Sequence, residues 1–275
     1  MTAHGLFLSH VRSARVDRAY LRLVAETAGL VRWHFVHNPT PGAHPTTTFS
    51  YPEPAAVMPG RYASMLAHGG VQDGFLDTAI VPLVLGLRAQ HVWCMEYDVD
   101  YSGNWTEVFG ELASDDADLL TSTVATRAET PDWSKWPRAS APPWVDEGSF
   151  LRAFHPLMRL SRSFAQSYAL MMSDRDWQGH YESTLPTAAL ASGARIADIG
   201  GHGSWTPDER RGRFYLNTPS DYRLSPGTLV WRPHRSHYFH ERPDDFGQQR
   251  LLHHPVKADV EAWSTATMNA ERPPG

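Results

Sequence analysis

The sequence predicts an α/β domain built on a mixed, mainly parallel sheet flanked by helices. Three observations predict it. Residues 6–36 read strand, helix, strand, a βαβ unit that opens a parallel sheet. Residues 91–95 form a strongly apolar strand that ends at the acid cluster Glu96-Tyr97-Asp98-Val99-Asp100. Helical and strand patterns then alternate to residue 232, with no repeat and no linker that would divide the chain.

The elements follow in order. Residues 6–11 are a short apolar run suited to a buried strand. Residues 15–28 place Val16, Tyr20, Leu23 and Val24 at helical spacing, with Gly29 as the stop. Residues 30–36 put Val31, Trp33 and Phe35 on one face of a strand. Residues 38–60, rich in Pro, Thr and Gly, read as a long loop. Helices are expected over 75–89, despite Pro82, and over 104–113, with Asn104 as N-cap. A strand at 118–124 leads into an aromatic loop at 125–148 carrying Trp133, Trp136 and Trp144. A weakly alternating strand at 154–160 precedes helices at 162–172 and 179–192, the second closed by Gly193. Short strands are expected at 195–199, 214–216 and 228–232, and the polar tail after Trp263 is expected to fray.

Composition narrows the function classes. Hydrophobic residues at 41% and charged residues at 20% suit a packed core rather than disorder. A net charge of -5 offers no basic field for a polyanion, which argues against a nucleic-acid partner. Cys94 is the one cysteine and lies in an apolar run, so it reads as an inert buried thiol, and no disulfide framework exists. No stretch approaches the ~20 continuous apolar residues of a transmembrane segment. The N-terminus lacks the features of a signal peptide, and the expectation is a soluble cytoplasmic protein. The 10 Trp and 10 Tyr suit sugar faces, although core packing uses aromatics too.

The acid cluster carries the chemistry. Ligands of open α/β sheets bind beyond the carboxyl ends of strands, where Asp98 and Asp100 fall. Residues two apart in an extended segment point the same way, so both carboxylates are expected to converge on one cation. A hard divalent ion, Mn²⁺ or Mg²⁺, held by few carboxylates is completed by water and substrate phosphates. Such an ion neutralises charge on a departing diphosphate. A solvated acidic turn is the plain alternative.

The run from Val92 to Asp100 resembles the strand leading into the Asp-x-Asp motif of GT-A fold, nucleotide-sugar-dependent glycosyltransferases. Tyr101-Ser102-Gly103-Asn104-Trp105 is similar to the continuation in a group of bacterial and fungal members. Asp176-Trp177-Gln178-Gly179-His180-Tyr181-Glu182 resembles the segment where inverting members carry an acidic base at a helix start. Leu252-His253-His254-Pro255-Val256-Lys257 looks like a closing segment that returns a histidine to the metal. The resemblance implies a GT-A-like, Rossmann-like sheet in one domain over 1–275, with a nucleotide-binding part near 5–125 and an acceptor part near 126–257. It implies Asp98, Asp100 and His254, or its neighbour His253, around Mn²⁺ or Mg²⁺, and His10 and Arg12 beside the nucleotide. It implies Glu182 as the base, with His180 as runner-up, a UDP-sugar donor by default, and a glycan or small-molecule hydroxyl acceptor. That base role has independent sense, because a sugar hydroxyl is deprotonated by a positioned carboxylate or imidazole.

Other constellations point less sharply. His234, His237 and His240 are spaced as a zinc site can be, but no His-Glu-x-x-His helix accompanies them, and a polar loop or acceptor contact fits better. Arg159 and Arg162 could bind phosphate or an acidic acceptor, or make surface salt bridges. Gly200-Gly201-His202-Gly203 lacks the Lys-Ser/Thr of a phosphate loop and reads as a turn. Two rivals stand beside glycosyl transfer. One is nucleotidyl transfer or phosphate-ester hydrolysis on the same Asp pair; the other is a non-catalytic carbohydrate-binding protein.

Overall fold

The computed structural model describes residues 2–38, 45–216, 227–231 and 250–257. The opening βαβ unit is present as β1 (Ala3–Ser9), α1 (Ala14–Glu26) and β2 (Val31–His37). β1 and β2 pair in parallel from Ala3↔Val31 to Ser9↔His37. Ser13 starts α1 by accepting the Val16 N–H on its hydroxyl at 3.3 Å, and Val16 and Leu23 bury the inner face.

Residues read as loop up to 60 instead contain α2 (Pro54–Val57), followed by α3 (Pro59–Ala67). Each opens on proline, whose missing N–H would have no helical partner in the first turn. α4 (Asp77–Gly86), buried on almost every side and with Pro82 inside it, leads to β3 (His91–Glu96), β4 (Asp100–Tyr101) and α5 (Trp105–Glu111). Asn104 caps α5 as its position suggests, its Oδ1 accepting the Thr106 N–H at 2.9 Å. The chain continues through β5 (Leu119–Thr126), β6 (Leu151–Ser161), α6 (Arg162–Met171), α7 (Tyr181–Ala191), β7 (Ile196–Asp198) and β8 (Leu252–His253).

The main sheet runs β2-β1-β3-β6-β5-β7. β3 pairs in parallel with β1 and β7 with β5, while β6 is antiparallel to both of its neighbours. The sheet is therefore mixed and mainly parallel, with a core on each face. Alternation along β3 divides the two: Val92 and Cys94 pack with α4, α6 and α7, whereas Trp93 and Met95 pack with α1 and α5. Burial pushes the Cys94 thiol far up, as befits an inert core residue.

Three expectations change. Phe214 and Tyr215 are buried but form no strand, and among the described residues Leu229 makes an isolated bridge to His254. A ribbon absent from the sequence reading pairs β4 with β8, Asp100 opposite His253. Residues 232–249, with His234, His237 and His240, and the tail with Trp263, lie outside the described residues. Among the described residues, no helix is long and apolar enough to cross a membrane.

Candidate metal and acid–base site

β3 delivers Glu96 to the carboxyl edge of the sheet, and the chain then turns sharply, with the Val99 N–H donating to Glu96 O at 3.1 Å. That turn carries Asp98 back towards Glu96. The closing segment brings His254 to both: ligand atoms of Glu96, Asp98 and His254 lie within 4.8 Å of one another. His254 Nε2 stands 3.4 Å from Glu96 Oε2 and 3.5 Å from Asp98 Oδ1.

Two details favour a cation here. His254 Nδ1 lies 2.8 Å from the Val230 carbonyl, so that nitrogen donates its proton there and Nε2 faces the carboxylates. Asp98 is 4% exposed, yet its Oδ1 is buried without a hydrogen bond. The His254 ring, 3.5 Å away, offsets the charge of this oxygen as an ion pair, and a metal ion bound there would coordinate it directly. Two carboxylates and one imidazole form an O/O/N donor set of the kind a divalent cation uses.

Without a metal, the cluster is an ion-pair network. Burial pushes the His254 imidazolium down, but the Asp98 and Glu96 carboxylates outweigh it and raise the ring to about 10. Burial would raise the Asp98 carboxyl; His254 and then Lys257 overcome this and hold it well below the usual range. Lys257 Nζ is 3.3 Å from Asp98 Oδ2 and sits 5.6 Å from the Tyr97 ring centre.

Asp100 is the main correction. The expectation of paired Asp98 and Asp100 assumed an extended segment, but residues 97 and 98 form a turn, which breaks the two-residue alternation. Asp100 instead accepts from Arg22 Nη1 at 2.7 Å, and Glu96 stands in the cluster with Asp98 and His254. His253 is buried in the β4–β8 ribbon, and His254 is the one that reaches the cluster.

The nucleotide-side residues divide similarly. His10 lines the cavity over the cluster, edge-on to Tyr97 at 5.1 Å, its imidazolium disfavoured by burial and by Lys257. Arg12 points elsewhere: its Nε pairs with Asp17 at 2.9 Å, and its guanidinium lies 4.2 Å from the Phe35 ring centre.

The same cavity holds Glu182 and His180 at the start of α7. His180 Nδ1 accepts the Glu182 N–H at 3.3 Å and lies 3.4 Å from Glu182 Oε2. Burial, assisted by Lys135, pushes the His180 ring down to about 3, so it is neutral at physiological pH. Gly74 permits this arrangement. Its φ is +97°, and a Cβ there would lie 2.2 Å from the His180 ring.

The support beneath this turn was not visible in the sequence. Arg61, 2% exposed, pairs with Asp77 at 2.8 Å and donates to Gly179 O at 2.8 Å and Gly74 O at 3.1 Å, the two backbones flanking His180. Tyr168 donates to Asp77 Oδ2 at 2.7 Å. A lone Arg and Asp 16 positions apart carry no local signal of such a pairing.

Several other residues turn out to be structural. Arg159 donates to the carbonyls of Leu112, Asp115 and Ala117, and Arg162 to those of Leu85 and Leu87. Neither lines the cavity. The Gly200–Gly201 amides donate to buried Asp198, which makes that turn a structural node. No protein-family model matches this chain, and no curated protein sequence matches it, so its functional reading rests on the geometry of the site.

Proposed function

We propose that this protein is a divalent-metal-dependent glycosyltransferase with a GT-A-like sheet, moving a sugar from a nucleotide diphosphate to a hydroxyl acceptor. The observation that carries this reading is the convergence of Glu96, Asp98 and His254 beyond β3, with Asp98 Oδ1 lacking a hydrogen bond, in one cavity with Glu182. A metal ion there, Mn²⁺ or Mg²⁺, supplies neutralising charge for the departing diphosphate. Glu96, Asp98 and His254 are its ligands, and Lys257 adds a positive charge beside them for phosphate oxygens.

Glu182 accepts the acceptor's proton, and His180 holds the first turn of its helix through the Glu182 N–H. Attack from the Glu182 side, opposite the leaving group, inverts the anomeric centre. His10 and Tyr97 line the nucleotide side, with a uridine diphosphate sugar as the default donor. Asp100 acts at a remove, by fixing the segment that follows the ligands through Arg22.

Thermal-shift measurements with nucleotide sugars, with and without Mn²⁺, test the proposal. A donor at 100 times its dissociation constant should add about 2.7 kcal/mol. Asp98→Asn should abolish the Mn²⁺-dependent part. If no nucleotide stabilises the protein with any divalent ion, the reading fails. If nucleotide is hydrolysed to free phosphate equally fast without acceptor, the phosphate-ester hydrolase replaces it.

A further inference from the structure

The cavity that holds the metal cluster, about 530 Å³, has a second wall of opposite character. Leu8 and Val36 come from the ends of β1 and β2, and Val71 from the turn before α4. Leu76 and Ala79 complete the wall, with Leu83 fully buried behind them and the polar Asn38 and Gln72 at its margin. Leu76, at the N-cap of α4, and Ala79 are three apart, so they form one stripe at the start of that helix. Leu83 packs into the core with Ile80, Val81 and Val84, so the helix is apolar on its core side and also where Leu76 and Ala79 face the cavity.

The stripe belongs to the acceptor end. Gly74, just before α4, accepts the Tyr181 N–H at 2.8 Å and lies against His180, which places this wall beside Glu182. A sugar ring set against it would bury hydroxyls that find no partners on Leu, Val or Ala, and that burial is costly. A molecule with one hydroxyl and an apolar body meets both walls without that penalty.

We propose that the acceptor is a small phenol or alcohol whose apolar body packs on the Leu76–Ala79 stripe while its hydroxyl reaches Glu182. This rests on the transferase reading. In the transfer step the acceptor's O–H proton passes to the Glu182 carboxylate as its oxygen bonds to the anomeric carbon of the donor. The bond from that carbon to the diphosphate oxygen breaks, and its electron pair leaves with the nucleotide diphosphate.

The test is isothermal titration of the full chain, with Mn²⁺ and UDP present, using 4-tert-butylphenol, geraniol, glucose and cellobiose. The phenol or the terpene alcohol should bind at least tenfold tighter than either sugar. Ala79→Phe, which fills the stripe, should weaken that binding at least tenfold and retain the thermal shift given by Mn²⁺ and UDP. Leu76→Gln, at a half-buried position, gives the same comparison if Ala79→Phe does not fold. Tighter binding of the sugars overturns the proposal. So does loss of the UDP shift in either folded variant, which would give the wall to the donor's base. If UDP gives no shift while the phenol binds and is lost in Ala79→Phe, the apolar site stands and the transferase reading falls.

Discussion

On the proposed reading, a metal ion and a proton would compete for one nitrogen of His254. In the metal-free protein its ring is raised to about 10 from an ordinary 6.5. The stability this gives is fully present below pH 6.5 and is lost as pH rises through about 10. Metal binding must expel that proton, so Mn²⁺ affinity should rise about tenfold per pH unit between roughly pH 7 and 9. Titration of Mn²⁺ by electron paramagnetic resonance reads this directly, and His254→Ala should flatten the slope while weakening binding. A flat profile for the unaltered protein would remove His254 from the ligand set. At this scale the sequence was informative about residue type and less so about partners. Asp98 and His254 were singled out by the acid cluster after a buried strand and by the resemblance of the closing segment, and the structure brings these two side chains together with Glu96. The sequence reading paired Asp98 with Asp100 and left the part of Glu96 open; alternation holds only for extended backbone, and one turn at Tyr97–Asp98 changes which acids converge.

β5 shows how an irregular element serves the site. Its pairing with β6 shifts between Ser122↔Phe154 and Ala125↔Arg152, so three steps on β5 oppose two on β6. The extra residue is absorbed at Thr123, a β-branched residue at φ +53° whose hydroxyl is buried without a hydrogen bond. Its N–H is held by Asp198 Oδ2 at 2.9 Å and by the Tyr215 hydroxyl at 2.6 Å. Across the irregularity, Phe154 lines the cavity and packs edge-on to His254 at 5.2 Å. Left-handed strain at a β-branched residue costs roughly 1–3 kcal/mol, and glycine returns about 0.5–1 kcal/mol of that as chain entropy. Thr123→Gly should therefore stabilise by about 1 kcal/mol and raise Tm by roughly 2–4 °C in calorimetry. A fall in Tm would mean that the threonine's packing outweighs its strain. Strands and helices with long periodic faces were legible in the sequence, the βαβ unit most of all. The two-residue strands β4 and β8 were not, because two residues have no period, and their pairing spans some 150 positions of chain. α2 and α3 were hidden by the prolines that begin them.

At the scale of the whole molecule, the site is closed by chain segments far apart in sequence. Arg22 of α1 donates to Asp100 Oδ1 at 2.7 Å, Tyr101 O at 3.1 Å and Gly103 O at 2.6 Å. It thus fixes β4, and β4 pairs with β8, which precedes His254 directly. The same closing segment is held from its other side, where Arg15 donates to Val256 O and the Val256 N–H donates to Asp98 O at 2.8 Å. The residues of the cluster are therefore brought together by a path that starts on the first helix, and Asp100 contributes to their placement through that path. Removing the support of a metal ligand commonly costs 10–100-fold in affinity. Arg22→Met should weaken Mn²⁺ binding about tenfold, although its guanidinium binds Asp100 rather than the cluster. Hydrogen exchange should show why: amides of residues 251–257 slow when Mn²⁺ binds the unaltered protein and stay faster in Arg22→Met. Arg12→Met, whose pairing with Asp17 lies off this path, is the control and should leave both readouts unchanged. Normal Mn²⁺ affinity in Arg22→Met would show that β8 and His254 hold their place without α1.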